Sequence, residues 1–241
     1  MKTPDSRFYC PLISVGNIEL DETESSHAIR VCRAAVGDTL QLCDGKGHYA
    51  DAEIVTADPK ACIVRVDTVE NAPMPRPLLN LAIGCLKDDA LEEVVFHAAQ
   101  MEVDSITFLR TDFSQEPKNS DLHKTVRRSE LKSLVSLKQS KKPWLTRIEG
   151  PVEFDRWLEG YNGDIILCDI DGEASLPSIA SRAASGNTRP VTVLVGPEGG
   201  FSPREIELAK KYTAGKVELL KLGNTRLRGR TAAIVALGKI L

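Results

Sequence analysis

No segment of the 241-residue chain is long and apolar enough to cross a bilayer. The first twelve residues begin with polar side chains and lack the apolar core of roughly seven or more residues that a secretory leader carries. The six cysteines, Cys10, Cys32, Cys43, Cys62, Cys85 and Cys168, include no C-x-x-C pair, and the four histidines stand in no ligand spacing to them. These absences argue against a membrane protein, a disulfide framework and a zinc site; no metal is expected, and a reducing cytoplasm is the expected setting. Two common nucleotide loops are also missing, since neither G-x-x-x-x-G-K-[ST] nor G-x-G-x-x-G is found. Internal repeats and low-complexity tracts are absent too.

What is present is the composition of a folded chain, 42% hydrophobic and 27% charged. A net charge of −3 argues against attraction of the whole molecule to nucleic acid, but an average conceals its distribution. Acids gather early, at Glu19, Asp21, Glu22 and Glu24. Lys124, Arg127, Arg128, Lys132, Lys138, Lys141, Lys142 and Arg147 are opposed within their own segment only by Glu130, and a second basic run extends from Lys210 to Arg230. Phosphate binding requires the two runs on one surface; otherwise they are solvated faces.

Three prolines in NAPMPRPL (71–78) bar both helix and interior strand, which marks a linker. Two domains are therefore expected, 1–72 and 73–241. Before the linker, LQLCDG (40–45), HYADAEIV (48–55) and ACIVRVDTV (61–69) read as strands between Gly and Asp-Pro turns, with one helix at about 23–34. That is the pattern of a small β-barrel. After it, strands alternate with helices, the signature of a mostly parallel sheet in an α/β domain. Apolar runs at 78–86, 105–109, 164–169, 191–196 and 216–223 supply strands, with another near 144–148. Leu91, Val94, Val95 and Ala98 mark one helix face, with Asp89 and Glu92 as a capping box; a basic helix covers about 121–139, and short helices follow near 154–158, 178–184 and 203–212. A final helix at 226–241 is expected to bury Leu227, Ile234, Leu237 and Leu241.

Two strand-to-helix turns carry the chemistry. In VGPEGGFSPREIE (195–207), Ser202 is the expected N-cap, Pro203 stands at N1 and Glu205 at N3. Gly199 and Gly200 let a ligand approach the backbone, and Pro197 stiffens the turn. Glu198 would repel a phosphate, so a neutral or cationic ligand such as S-adenosylmethionine fits better; a plain tight turn is the alternative. In KLGNTRLRGRTAAIVAL (221–237), a turn at Gly223 and Asn224 leads to a helix opening with Arg226, Arg228 and Arg230, against the helix dipole.

Together these segments, GPEGGFS followed by E-I and then LG-x-x-x-LR-x-x-TA, resemble the RsmE family of the SPOUT superfamily, which methylates N3 of a uridine in 16S ribosomal RNA. RFYC from Arg7, VCR ending at Arg33, VGD, CDGKG around Lys46, the linker and QSKKP with Lys141 and Lys142 resemble the same family, so the likeness spans nearly the whole chain. The resemblance implies a PUA-like barrel followed by a knotted SPOUT methyltransferase domain. It implies an S-adenosylmethionine pocket formed by Leu167, Cys168, Gly196, Pro197, Glu198, Gly199, Gly200, Leu222, Gly223, Leu227, Thr231 and Ala232. Arg228 is the candidate for stabilising charge on the uracil. Arg7, Arg33, Lys46, Arg127, Arg128, Lys141, Lys142 and Arg226 are candidates for holding the RNA. The expected partners are 16S rRNA or the small ribosomal subunit and a second copy of the chain.

One departure matters. Relatives read L-R-T-E-T-A where this chain reads Leu227, Arg228, Gly229, Arg230, Thr231, Ala232, so an acid has become arginine. A non-catalytic RNA-binding or ribosome-assembly factor is therefore the rival reading, and a small-molecule enzyme with a nucleotide cofactor a second.

Overall fold

A computed structural model describes residues 7–87, 89–114 and 122–241. The chain divides into two compact units: one is Met1–Met74 with Leu134–Leu145, the other Pro75–Ser133 with Thr146–Leu241.

The first unit is a six-stranded sheet of β1 (Arg7–Tyr9), β2 (Gly16–Glu19), β3 (Thr39–Cys43), β4 (His48–Thr56), β5 (Ile63–Val66) and β6 (Glu70–Asn71). Its order is β1-β3-β4-β5-β2, with β6 on β4. Only the β1–β3 pairing is parallel. Alternation fixes the inner face: Ala50, Ala52 and Ile54 of β4 are buried and join Phe8, Leu40, Leu42, Val64 and Val66 in one core. Helix α1 (Glu22–Ser26) is capped by Asp21, whose carboxylate accepts from the Glu24 N–H at 2.8 Å. It passes into a π-helical turn, His27–Val31, and the backbone has left the helix by Arg33, at φ +55°, short of the expected end at 34. Lys138, in the last turns of α3 (Leu122–Ser140), belongs to this unit and donates to Glu24 Oε1 at 2.6 Å. Trp144 belongs to it as well, its ring lying where a Gly47 side chain would be, 2.5 Å from an added Cβ.

The second unit has a fully parallel sheet in the order β12-β10-β11-β7-β8-β9. Its strands are β7 (Leu79–Gly84), β8 (Val103–Arg110), β9 (Arg147–Glu153), β10 (Asp164–Glu173), β11 (Val191–Val195) and β12 (Val217–Leu220). The helices are α2 (Ala90–Ala98), the first part of α3, α4 (Phe154–Gly160), α5 (Ile179–Ala184), α6 (Pro203–Lys210) and α7 (Gly229–Ile240). Central strands are buried on both faces: Leu81, Ile83, Val193 and Val195 pack with α2 and α7, whereas Ala82, Leu167 and Leu194 pack with α4 and α6. From β12, at one edge, the chain returns so that α7 packs on α2, β7 and β11.

Three local expectations are corrected. Asp89 is the N-cap of α2 but makes no side-chain cap bond, because its backbone (φ −84°, ψ 10°) is not in the extended conformation that aims the carboxylate at the helix. Helix α7 starts at Gly229, so Arg226 and Arg228 precede it and only Arg230 lies in its first turn. Leu237 is buried as expected and Leu227 and Ile234 partly so, but Leu241 is 41% exposed beyond the helix end. No helix among the described residues is long and apolar enough to cross a membrane.

Candidate active site

At the carboxyl ends of β10, β11 and β12, where ligands of open parallel sheets bind, lies a cavity of about 480 Å³. Its walls are the end of β10, the turn from β11 to α6, and the turn from β12 to α7.

The β11–α6 turn is held tightly on three sides. Beneath it, Gly84 ends β7 with no side chain, and a β-carbon there would fall 2.5 Å from Pro197 Cδ. Within it, the Gly200 N–H donates to the Pro197 carbonyl at 2.8 Å and Gly200 sits at φ +75°, a conformation glycine adopts without strain. After it, α6 opens with the expected capping box: Ser202 accepts from the Glu205 N–H, and Glu205 accepts from the Ser202 N–H. Glu205 is fully buried, and its other oxygen accepts from the Asp112 N–H at 2.9 Å. Asp112 in turn accepts from Ser202 Oγ at 2.5 Å and from two Arg204 nitrogens at 2.8 and 3.1 Å. These bonds hold its carboxyl below the usual carboxylate range, the Arg204 contact first and the Ser202 hydroxyl second. The turn after β8 is thereby fastened to the glycine turn.

Glu198 accepts from the Lys87 N–H at 3.3 Å and leaves its negative charge in the cavity wall. Arg226 crosses from the β12–α7 turn to donate to the Glu198 carbonyl at 2.8 Å, so it ties the two turns together. Gly229 begins α7 where a β-carbon would lie 2.6 Å from Leu86 Cδ2, which seats the helix start directly on the β7–α2 connection. Cys168 closes the third side; burial pushes its thiol up to about 12, so it remains a neutral, weakly polar wall.

The cavity brings together Cys168, Gly196, Pro197, Glu198, Gly199, Gly200, Leu222, Gly223, Leu227 and Ala232. It does not include Leu167, which strand alternation turns to the opposite face of β10, among Phe154 and Leu158. Thr231, one position before Ala232 on α7, faces a separate hollow of about 190 Å³ beside Glu93, His97 and Arg230. Arg228, the N-cap of α7, is exposed and outside the cavity wall. Asp169, Ile170, Phe201, Ile206, Asn224 and Thr225 line it without having been assigned to the pocket from the sequence; most lie in or beside the two turns, and that adjacency was the available signal. Gly84 carried no local signal beyond a glycine at a strand end.

Arg230 points away from the cavity and donates to Glu93 Oε2 of α2. Among the residues assigned to RNA, the Arg7 guanidinium lies 4.8 Å from the Tyr49 ring centre, Arg33, Lys46, Arg127 and Lys141 are exposed, and Lys142 is half-buried. Arg128 is paired with Glu92 at 3.1 Å. The basic run is less free than its sequence suggests, because acids distant in sequence meet it: Lys138 holds Glu24, and Arg147 reaches Asp104 at 2.6 Å. Among the described residues, no cluster of His, Cys, Asp and Glu is placed to hold a metal ion.

Residues 73–241 match the family described as RNA methyltransferase domain, and residues 20–67 match the RNA methyltransferase PUA domain. The chain is 28% identical to the ribosomal RNA small subunit methyltransferase E of Rickettsia conorii, over 92% of this chain and 88% of that one. A putative methyltransferase from Legionella pneumophila, solved with its bound cofactor SAM, superimposes with a TM-score of 0.78 at 25% identity, over 96% and 95% of the two chains. The Neisseria gonorrhoeae ribosomal RNA small subunit methyltransferase E, solved with S-adenosyl methionine, shares the fold at a TM-score of 0.81 and 19% identity, over 97% and 95%.

Proposed function

Because the chain belongs to the RNA methyltransferase domain family, we propose that it methylates N3 of a specific uridine in 16S rRNA of the small ribosomal subunit, with S-adenosylmethionine as donor, in the cytoplasm and as a homodimer. In this reading 1–72 is the PUA-like RNA-binding domain and 73–241 the methyltransferase domain. The observation that carries it is the cavity itself. Its glycine turns offer backbone groups at close range, Leu222, Leu227 and Ala232 offer an apolar slot for adenine, and Glu198 offers negative charge to a sulfonium.

When bound, S-adenosylmethionine supplies an electrophilic methyl group. The chain's own contribution is positioning and electrostatics. Pro197, Gly199 and Gly200 form one rigid wall, Leu222 and Gly223 another, and Arg226 locks the two together through the Glu198 carbonyl. Alignment of this kind is worth up to about 7–11 kcal/mol of a bimolecular barrier. Uridine N3 loses its proton as the new bond forms, so charge develops on the uracil oxygens, and Arg228, exposed at the start of α7, is assigned to stabilise it. N3 lies on the Watson–Crick edge, so the target base must be unpaired or flipped. The non-catalytic alternative rested on Arg230, and the pairing of Arg230 with Glu93 outside the cavity favours the catalytic reading.

The test has two parts. Calorimetric titration of the purified protein with S-adenosylmethionine should give a micromolar dissociation constant, about −8 kcal/mol. Small subunits from cells lacking this gene should gain 3-methyluridine, detected by mass spectrometry of rRNA nucleosides, when treated with protein and donor. Binding without methylation would favour the assembly-factor reading, and no binding would remove the methyltransferase reading altogether.

A further inference from the structure

We propose that Phe113 is the surface on which a flipped-out base of the substrate RNA stacks; the inference rests on the methyltransferase reading above. Phe113 follows β8 in the turn fastened to α6, and it is 45% exposed. Its Cβ lies 2.9 Å from where a β-carbon of Gly199 would be, with Cγ at 3.4 Å and Cδ2 at 3.5 Å. Gly199 lines the cavity. The phenyl group therefore lies against Gly199 of the glycine turn, outside the cavity's own lining, with much of its surface in water.

Its neighbours hold it there. The Thr111 N–H donates to Ser114 Oγ at 3.0 Å, and the Ser114 N–H returns to the Thr111 carbonyl at 3.0 Å. The Asp112 N–H is bound by buried Glu205, and the Asp112 carboxylate by Ser202 and Arg204. A solitary exposed aromatic needs no explanation. One fixed on both sides by a polar network, beside the proposed donor cavity, offers the flat ring of a substrate base a preformed face. Stacking tolerates any base, so Phe113 would supply affinity and orientation, leaving recognition to contacts at the base edge.

The test uses the full chain, small subunits from cells lacking the gene, and F113A, F113L and F113W. Affinity for S-adenosylmethionine, measured by calorimetry, should stay within about twofold of wild type in all three. For F113A the KM for subunits should rise about 5- to 150-fold, the range expected for loss of one stacked base. F113W should recover most of that loss, and F113L should not. An unchanged KM in F113A, or recovery by F113L, would overturn the proposal. A parallel loss of donor affinity would also overturn it, by showing the ring to be a brace for the glycine turn. If the wild-type protein transfers no methyl group, the functional reading fails and this inference with it; an active wild type with an indifferent F113A removes the inference alone.

Discussion

Glycine means different things at different positions around the cavity. At Gly199 the space for a β-carbon is already taken by Phe113, so a larger residue there would disturb the protein before it met a ligand. Gly223 lines the same cavity with nothing within 4 Å of its missing β-carbon. Gly223→Val should therefore leave the melting temperature unchanged and weaken S-adenosylmethionine binding tenfold or more, about 1.4 kcal/mol. Equal affinity by calorimetry would remove this wall from the site. Asp112 offers a pH test. Its carboxyl is held below the ordinary value by Arg204 and Ser202, so its stabilising contribution is complete above the unfolded value near pH 4 and fades as pH falls through the lowered one. Asp112→Asn should lower the melting temperature at pH 7, and the gap from wild type should close below about pH 4. A gap that persists undiminished at low pH would assign the effect to something other than the ionised carboxylate.

The elements differ in how plainly the sequence announces them. Strands β7 and β11 and the start of β10 are largely buried, so they read as nearly continuous apolar runs and were legible. Strand β10 runs on to Glu173, through mostly exposed residues, beyond the expected end at 169. Strands β1, β2 and β6, of three, four and two residues, are too short to display a period. The start of α7 was misread because Leu227 stands seven residues before Ile234, a helical spacing that continues past the true first residue, Gly229. For the site, the turn before α6 was legible from its capping chemistry and the turn before α7 from its Gly223-Asn224 pair. The sorting of Leu167 from Cys168 was not, since both residues of a doubly covered strand are apolar. Nor was the destination of Arg230, whose partner Glu93 lies 137 positions away. Charges on α3 follow the same logic. Arg127 is exposed, whereas Lys138 is committed to Glu24. Arg127→Ala should reduce the slope of log affinity against log salt by about 0.7–0.9 for the rRNA substrate, as expected for one lost phosphate contact. A slope equal to wild type would place Arg127 off the RNA path.

At the scale of the whole molecule, α7 uses Ala232, Ala233, Ala236, Leu237 and Ile240 to pack within its own chain. Ile234 and Val235 remain half-buried and Leu241 is exposed, an apolar strip on which the proposed second copy would pack. Light scattering should give about twice the 26.3 kDa chain mass, and Val235→Arg should give a monomer. A wild-type mass equal to one chain would refute the dimer. Ala236, fully buried, would test folding instead of association. The membership of Leu134–Leu145 in the N-terminal unit has a consequence for anyone cutting the gene. Cleavage in the proline-rich linker frees neither unit, because the polypeptide crosses between them twice more. A fragment encoding 1–72 alone would also lack Lys138, the counter-charge of the Glu24 carboxylate, together with the rest of the segment that packs in its unit. Such a fragment should be unfolded by circular dichroism, and a synthetic 134–145 peptide should restore its structure. In recombination terms, the barrel is not a cassette: its last piece is encoded inside the gene segment of its neighbour.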